Sequence, residues 1–484
     1  MSATTNGHQV LANADSTSFA SLRQRPTTRA ERSAMGKALR KQVPRRALAV
    51  WDPPSDRPDP ITLLNQSHRG RVDELVPVRV GRMISSPYGF LRGTAVVMAS
   101  DVASMASTGI QPVICGDAHL GNFGLYGSPE GELVLDLNDF DEAHPGGWEW
   151  DVRRLSASIW VAGRESGLSE SQCREAVESC CAAYRGEVRL LAEQSLLKRS
   201  YNRLDVEGLH ASATEKSLRT TIKRSVKKAK KRTSDRAVPK FTYEDAGRRI
   251  IAEEPPLIQR VTDTKADQIG AALDRYLGTI ESHWARVLGG YTIQDIAHKV
   301  VGVGSIGLRA YVVLLEGSNA DDLVFLQMKQ ARRSVLAKYV HGDSAWHAHQ
   351  GQRVVEYQQA LQTVSDPLLG WTTVDNRQYY VRQFRNMKGT VPLDALDGRA
   401  LADYAGIVGH LLAKGHARTS GASMIAGYLG QGRNVDRAMG DFARAYADQT
   451  ESDHARLVHA VKSGRVPATE GALEQVGSAF RPGS

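Results

Sequence analysis

The sequence lacks three features that would place the protein in a membrane or outside the cell. No apolar run approaches the roughly 18 residues of a membrane-spanning helix. Residues 1–28 are polar and rich in Ser, Thr and Asn, so they contain no signal-peptide core and are predicted to be a disordered leader. None of the cysteines has C-x-x-C spacing, which argues against a zinc site or a disulfide framework. We therefore expect a soluble protein in a reducing cytoplasm.

An excess of positive charge is also missing from most of the chain. The formal net charge is +9, but residues 216–236 hold ten Lys or Arg and one acid, and the remainder is neutral. No aromatic residue interrupts this segment, so stacking on single-stranded nucleic acid is not indicated. Two interpretations stay open. The segment is either a solvated helix that caps the fold or a contact for an acidic or phosphorylated substrate.

The length and texture of the chain predict an α+β protein with several regions. It has 484 residues, of which 41% are hydrophobic and 24% are charged, as is usual for globular proteins. From Thr292 the pattern changes from helical to β-rich. We predict a disordered or basic leader over 1–40, a first region over 41–285 with a basic helical insertion at about 200–262, a β-rich region over 286–392, and helices over 393–484.

Three glycines, Gly302, Gly304 and Gly307, form the motif "GVGSIG". Such a motif is weak evidence alone, because turns also contain glycine. A dinucleotide-binding fold would require a helix after the glycines, but "LRAYVVLLEG" is β-branched and indicates a strand. A strand–glycine–strand order is typical of the flap that covers nucleotide phosphates in protein kinases.

The flap interpretation predicts a lysine on the next strand and a glutamate on the next helix. "VFLQMKQA" supplies Lys329, and "GQRVVEYQQAL" supplies Glu356. Exposed strand lysines are common, so Lys329 alone would prove nothing. A carboxylate beside an ammonium keeps it charged and in position, which phosphate binding requires. Gln383 occupies the place where an adenine-binding hinge would follow.

Two acidic stretches in the first half of the chain predict a magnesium site. Asp117 and Asn122 lie five positions apart in "GDAHLGN", and Asp139 and Asp141 follow in "NDFD". In kinases an Asp accepts the proton of the substrate hydroxyl, an Asn five residues later binds magnesium, and a second Asp completes the site. Gly, Asp and Asn also favour simple turns. The second acidic stretch makes a simple turn the weaker explanation.

These motifs together carry a resemblance. "CGDAHLGNFG", "DLNDFDEA" and "WEWDVRRL" resemble the signature of aminoglycoside phosphotransferase-like enzymes, which have a kinase fold. More closely, phrases such as "PVRVGRMISSPYGFLRG" and "VGVGSIGLRAYVVLLEG" are similar to a bacterial family known as domain of unknown function 2252. The resemblance implies a kinase-like fold and ATP as substrate. It also implies that Asp151 braces the catalytic loop.

The order of the motifs departs from ordinary kinases. Asp117 precedes the glycine motif, whereas in kinases the glycine loop and lysine come first. A circular permutation of the two lobes is the simplest explanation, and permutation is tolerated where the original termini lie close together. Cys115 also stands where the resembling enzymes have His.

The expected function is magnesium-dependent transfer of the γ-phosphoryl group of ATP to a hydroxyl of a small molecule. Asp117 would act as base, Asn122, Asp139 and Asp141 would bind Mg²⁺, and Lys329 would bind phosphates. AMP transfer on the same fold and a non-catalytic nucleotide-binding or scaffold protein are the alternatives. Three arginines, Arg79, Arg82 and Arg92, either bind an anion or are solvated or salt-bridged.

Overall fold

The computed structural model describes residues 27–233, 238–239, 241–300, 303–319, 322–341, 347–384, 386–419 and 421–469. Within these ranges the protein is a mixed α+β structure, as the sequence predicts. Most of the predicted leader, residues 1–26, lies outside the described ranges. The rest of it includes a capped helix, Arg29–Ala38 (α1), which packs so closely on residues 424–427 that Gly36 leaves no room there for a side chain.

Short capped helices follow α1. They are Pro60–His68 (α2), Val76–Ile84 (α3), Pro87–Gly93 (α4) and Ala95–Ser104 (α5). Asp59 caps α2 by accepting a hydrogen bond from the Thr62 N–H at 2.9 Å, and a proline opens each of α2 and α4, where its missing N–H costs nothing. The sequence predicts one helix over residues 88–106. The structure breaks it at Thr94, whose hydroxyl donates to Phe90 O at 2.7 Å.

Two small antiparallel pairs and a set of helices complete the first region. Val113–Ile114 (β1) pairs with His144–Pro145 (β4), and Phe123–Gly127 (β2) pairs with Leu133–Leu137 (β3). The helices are Trp148–Glu165 (α6), Glu170–Ala192 (α7), Leu196–Ser200 (α8), Val206–Ser212 (α9) and Lys216–Ala229 (α10). The apolar stripe of α10 is buried, so this part of the basic segment is a helix that covers the fold.

An antiparallel sheet of six strands, in the order β11–β12–β10–β9–β8–β7, forms the β-rich region. Its strands are Ile258–Arg260 (β7), Thr292–Lys299 (β8), Ala310–Glu316 (β9), Leu323–Gln330 (β10), Gly370–Val374 (β11) and Arg377–Gln383 (β12). Asp375 and Asn376 both have positive φ in the turn between β11 and β12, as a type I′ hairpin requires. The hairpin Thr242–Asp245 (β5) and Arg248–Ile251 (β6) precedes the sheet, and the helices around it are Asp263–Tyr276 (α11), Ser282–Leu288 (α12), Ala337–His341 (α13) and Gln350–Leu361 (α14).

Three helices end the described chain: Gly398–Arg418 (α15), Ala422–Leu429 (α16) and Asn434–Lys462 (α17). Helix α15 packs along α7 at a distance that only glycine permits, because a Cβ on Gly409 would lie 2.3 Å from Cys180 O. Side chains from both helices belong to the largest apolar core. None of the helices in the described ranges combines the length and apolar character needed to span a bilayer.

Two contacts fix the first region beside later parts of the chain, one to the segment after β12 and one to the end of α15. After β12 the chain pairs with β2, where Leu125 and Gly389 exchange backbone hydrogen bonds of 2.7 and 2.9 Å. At the end of α15, Thr419 Oγ1 accepts a hydrogen bond from Val113 N at 3.2 Å. The first contact holds the sheet, and the second holds α15, beside the segments that carry Asp117 and Asp139.

Candidate functional site

The glycine turn between β8 and β9 forms one wall of a cavity, in the strand–glycine–strand order that the sequence predicts. Val303–Ser305 is a single 3-10 turn, and Gly304 lines the cavity. Gly307 has a φ of +83°, and a Cβ there would lie 3.0 Å from Arg71 Cβ. Gly302, the first predicted glycine, lies outside the described residues. The turn thus needs glycine for its conformation and for close packing.

Lys329, on β10, reaches the acidic loop from across the cavity. Its Nζ lies 2.5 Å from Asp141 Oδ2 and 3.6 Å from Asp139 Oδ2, and its side chain is 3% exposed. Burial alone would lower the pKa of Lys329, but the two carboxylates outweigh it and raise the pKa above its ordinary value. Two widely separated parts of the sequence therefore meet at one charged contact.

The acidic loop follows β3 and is held from two sides. Asp141 accepts hydrogen bonds from Ser305 Oγ at 3.2 Å and from the Tyr380 hydroxyl at 3.1 Å. Asp139 is half exposed. Partial burial would raise the pKa of Asp139, but Lys329 and then Arg382 hold it below its ordinary value. Asp139 therefore keeps an ionised carboxylate that faces the cavity.

Asn122 joins the two acidic loops through its side-chain amide. Its Oδ1 accepts a hydrogen bond from Asp139 N at 2.7 Å, and its Nδ2 donates to Asp139 O at 3.0 Å and Asp117 O at 3.2 Å. A carbonyl oxygen has two lone pairs, so Oδ1 can still contact a cation. Asn122 thus fixes the distance between Asp117 and Asp139.

Asp117 is oriented by an arginine that the sequence analysis missed. Arg154 places Nε 2.8 Å and Nη2 2.7 Å from Asp117 Oδ1, while Oδ2 lies 4.0 Å from His119 Nε2. Burial raises the pKa of Asp117 to about 7; Arg154 opposes this shift, and Glu142 and Asp139 add to it. Arg154 thereby fixes Oδ1 of Asp117, while Oδ2 remains available to accept a hydrogen bond.

Asp151 braces the loop that carries Asp117, as the resemblance implies. Its carboxylate accepts hydrogen bonds from Cys115 N at 2.7 Å and Gly116 N at 2.8 Å. His416, near the end of α15, lies 3.2 Å from the same carboxylate. Asp151 is completely buried, so its role is structural.

The predicted pair of Lys329 and Glu356 is wrong. Glu356 Oε2 lies 2.8 Å from His347 Nε2, and a glutamine on the same helix donates to its other oxygen. Helix α14 presents Arg353 to the acidic loop instead, where Arg353 donates to Asp141 O at 2.7 Å. Lys329 is already neutralised by the aspartates, so it has no need of a carboxylate from this helix.

Gln383 is likewise not brought to the cavity. Its backbone N–H donates to Asp366 Oδ2 at 2.6 Å, so this N–H is not available to recognise a base. Alternate residues of a strand face opposite sides of a sheet, and the preceding residue, Arg382, lines the cavity. The adjacent arginine lies at the cavity instead, and the binding role of Gln383 stays a prediction.

The sequence analysis missed several residues of the site, although sequence spacing could have indicated some of them. Arg154 follows Asp151 by three positions on α6, which places both on one helix face. Tyr380 and Arg382 pair across β10 and β12 with Lys329 and Gln327, so period-two alternation could have found them. The remaining ones, Ser305 and Lys388, lie in irregular segments without a periodic signal.

Two adjoining cavities share five lining residues: Arg92, Asp117, Asp139, Gly304 and Ser305. The first, of about 240 Å³, is lined by Asp117 and Asp139 and by four basic side chains, those of Arg92, Lys329, Arg382 and Lys388. Burial, with Arg382 nearby, lowers the pKa of Lys388 well below its ordinary value. The second, of about 140 Å³, extends toward α3 and α4. The site therefore combines carboxylates with a concentration of positive charge.

The predicted metal ligands differ in whether their oxygens are free to bind a cation. In the part of the chain that the structure describes, no group of three or more His, Cys, Asp or Glu side chains is arranged for a metal ion. Asp141 is engaged by Lys329, whereas the Asp139 carboxylate and the Asn122 carbonyl are hard oxygen donors facing the cavity. Magnesium typically binds one or two carboxylates together with substrate phosphates and water. Asp139 and Asn122 fit that mode of binding.

A family model described as an uncharacterised protein conserved in bacteria, domain of unknown function 2252, matches residues 71–460. The chain belongs to the DUF2252 family. All the site residues above fall within the part of this DUF2252 chain that the model covers. No curated protein and no solved structure matches the chain.

Proposed function

We propose that the protein transfers the γ-phosphoryl group of ATP to a hydroxyl of a small molecule, with magnesium. The observation that carries the proposal is the contact of Lys329 with the acidic loop beneath the glycine turn, 2.5 Å from Asp141 and 3.6 Å from Asp139. Phosphoryl transfer depends on a cation at the nucleotide phosphates and on metal-binding carboxylates within one cleft.

The proposal includes a kinase-like fold with permuted order. It is supported by the succession of β8, the glycine turn, β9, the lysine strand β10 and α14, which is the order of these parts in kinases. The hydrogen bond from Val113 to Thr419 adds support. A chain running from the sheet through α15 into β1 would need only a short link at this point, so the permutation requires little rearrangement.

Asp117 is the proposed base. Arg154 holds its Oδ1, so Oδ2 accepts the proton of the acceptor hydroxyl. The acceptor oxygen forms a bond to the γ-phosphorus while the bond from that phosphorus to the β–γ bridging oxygen breaks. ADP leaves with the electron pair, and Asp117 ends the step protonated. A pKa of about 7 suits this role near neutral pH.

The other residues position the nucleotide. Lys329, Arg382 and Lys388 would contact the phosphate oxygens, since all three line the same cavity. Asn122 and Asp139 would hold magnesium, which neutralises phosphate charge when bound. Positioning and charge stabilisation then supply most of the rate.

Labelled ATP separates the proposal from its alternatives. Incubation with a metabolite mixture and magnesium should move the γ-label, and not the α-label, into a product. Transfer of the α-label would mean AMP transfer. Nucleotide binding without transfer of either label would mean a non-catalytic protein. Either of these results would refute the proposed reaction.

The Asp117→Asn variant tests the base. We expect the γ-transfer rate to fall at least about a hundredfold, because general base catalysis contributes that much, while ATP affinity changes little. Asp448→Asn is a matched control, because Asp448 lies 2.7 Å from Arg164 on the same helix, α6, that carries Arg154. Equal rates in the Asp117 variant and the wild type would remove the assigned role.

A further inference from the structure

The second cavity, beside the proposed transfer site, is rich in arginine. It lies between the loop of Asp117 and the segments around α2, α3 and α4. Five guanidinium side chains line it, and they come from three separate parts of the sequence: Arg71, Arg79, Arg92, Arg332 and Arg333.

Three of these side chains converge on Ser67, near the end of α2. Arg71 Nε and Arg332 Nη1 each lie 3.1 Å from Ser67 O, and Arg79 Nη1 lies 3.5 Å from Ser67 Oγ. The C-terminus of a helix carries about half a negative charge. This offsets only a small part of three positive charges.

Carboxylate partners are missing for four of the arginines. Within the described ranges, no acidic side chain lies within 4.0 Å of the guanidinium groups of Arg71, Arg79, Arg92 or Arg332. Their hydrogen bonds go to neutral groups, such as Ile306 O for Arg71 at 2.6 Å and Gly93 O for Arg79 at 2.5 Å. Burial, and then the charge of Arg332, lowers the pKa of Arg71 to about 10.

Two of these four arginines each keep a guanidinium nitrogen buried without an acceptor among the described residues. These nitrogens are Nε of Arg79 and Nε of Arg92. Arg79 is only 2% exposed. Leaving a buried charge without a counter-ion is strongly unfavourable, so a fold that keeps such a group at a cavity wall points to a ligand that supplies the negative charge.

The carboxylates around the cavity are already engaged. Glu142 Oε2 accepts a hydrogen bond from Val335 N at 2.6 Å, Asp141 is paired with Lys329, and Asp117 is paired with Arg154. The fourth carboxylate, of Asp139, is shared with Lys329 at 3.6 Å. Glu142 and Asp141 favour the charged form of Arg71 without pairing with it, so the arginines are only partly neutralised. The wall formed by α3, α4 and the segment after β10 therefore keeps a net positive charge.

We infer that this cavity binds an anionic group, a phosphate or a carboxylate, of the hydroxyl acceptor. Guanidinium groups match the planar arrangement of oxygens in such anions. Asp117 lines both cavities, so a hydroxyl a few bonds from the bound anion would face the base. The assignment to the acceptor rests on the proposed phosphoryl transfer; the binding of an anion does not. An amine-bearing acceptor would be repelled.

Calorimetric titration with inorganic phosphate tests the inference on the full chain. Wild type should bind phosphate, and Arg332→Gln should bind it about tenfold more weakly, since one charge-assisted contact is lost. Arg418→Gln should bind like wild type. Arg418 is a matched control because it is also partly buried and donates to backbone carbonyls, among them Ala360 O at 3.0 Å, away from both cavities. Arg71→Gln gives the same test if Arg332→Gln does not fold.

A second titration, with magnesium and a non-hydrolysable ATP analogue at saturation, identifies the source of the anion. Phosphate binding that persists supports an acceptor site. Phosphate binding that disappears means that the arginines hold the nucleotide's own phosphates, which overturns the inference. Nucleotide binding with no phosphate binding in any titration also overturns it, whereas phosphate binding without nucleotide binding supports the anion site and refutes the proposed function.

Discussion

Lys329 shows what single residues reveal before a structure is known. Its position on a strand after a glycine turn was predictable, and so was its meeting with Asp139, because both follow from motif order. Its true main partner was not. Asp141 and Glu356 are equally plausible partners in the sequence, and only the direction in which α14 presents its side chains decides between them. Such directions depend on packing between distant elements.

Stability measurements can verify this assignment. We expect Asp141→Asn to lower the free energy of unfolding by about 1–3 kcal/mol, because it weakens the neutralisation of a buried ammonium whose other partner is half exposed. Glu356→Gln should change the free energy of unfolding by less than about 0.5 kcal/mol, since the glutamine can still hydrogen-bond to His347 and Gln352. Urea unfolding at pH 7.5 measures both. Equal losses would mean that Glu356 does support Lys329 in solution.

His68 provides a pH-dependent test of the arginine cluster. Burial, and then the charges of Arg79 and Arg71, lowers the pKa of His68 to about 4 from an ordinary value of 6.5. The folded protein therefore keeps His68 neutral while the unfolded chain takes up a proton. The contribution of His68 to stability is complete above about pH 6.5 and is lost progressively as the pH falls toward 4.

The variant His68→Gln should lack this loss. We expect its stability relative to wild type to improve as the pH falls from 7.5 to 5, measured by urea unfolding at both values. His459→Gln, at an exposed position on α17, serves as the control for the loss of a histidine. A constant difference between His68→Gln and wild type would mean that neither burial nor the arginines lower the pKa of His68.

At the scale of elements, local patterns predicted most of the β-rich region. Runs of β-branched and apolar residues indicated β9 and β10, the two strands that follow the glycine turn. The break between α4 and α5 was missed. Gly93 is the only glycine or proline beside it, and a single glycine does not necessarily end a helix. The pairing of β2 with residues after β12 was also missed, since no local pattern encodes contacts between distant segments.

The glycine turn can be tested as an element. Gly307→Ala should lower the free energy of unfolding by about 1–2 kcal/mol, because an alanine at positive φ brings its Cβ toward a carbonyl oxygen. The new Cβ would also press on Arg71. Gly278→Ala is the control, because Gly278 has no positive φ and its Cβ would meet no atom within 4 Å. Urea unfolding measures both variants. Similar stabilities would show that a side chain at position 307 causes no strain in the glycine turn.

At the scale of the whole molecule, positive charge is organised in two ways. The basic segment is a run of neighbours in the sequence. Helix α10 and its C-cap present Lys223, Lys227 and Lys230 to solvent, while the apolar stripe of α10 is buried. The arginine cavity collects single residues from distant segments. Composition reveals the first and hides the second, because only folding brings Arg71, Arg79 and Arg332 together.

These two regions should respond differently to substitution and to salt. Replacing Lys223, Lys227 and Lys230 by Gln should leave phosphate binding within about twofold of wild type, because exposed charges are screened beyond about 8 Å at physiological ionic strength. Arg332→Gln removes one charge instead of three, yet it should weaken binding more, because its guanidinium lies in the cavity wall. Calorimetric titrations at 0.05 and 0.3 M NaCl compare the two variants. A larger loss in the triple lysine variant would mean that α10, and not the cavity, provides the anion-binding surface.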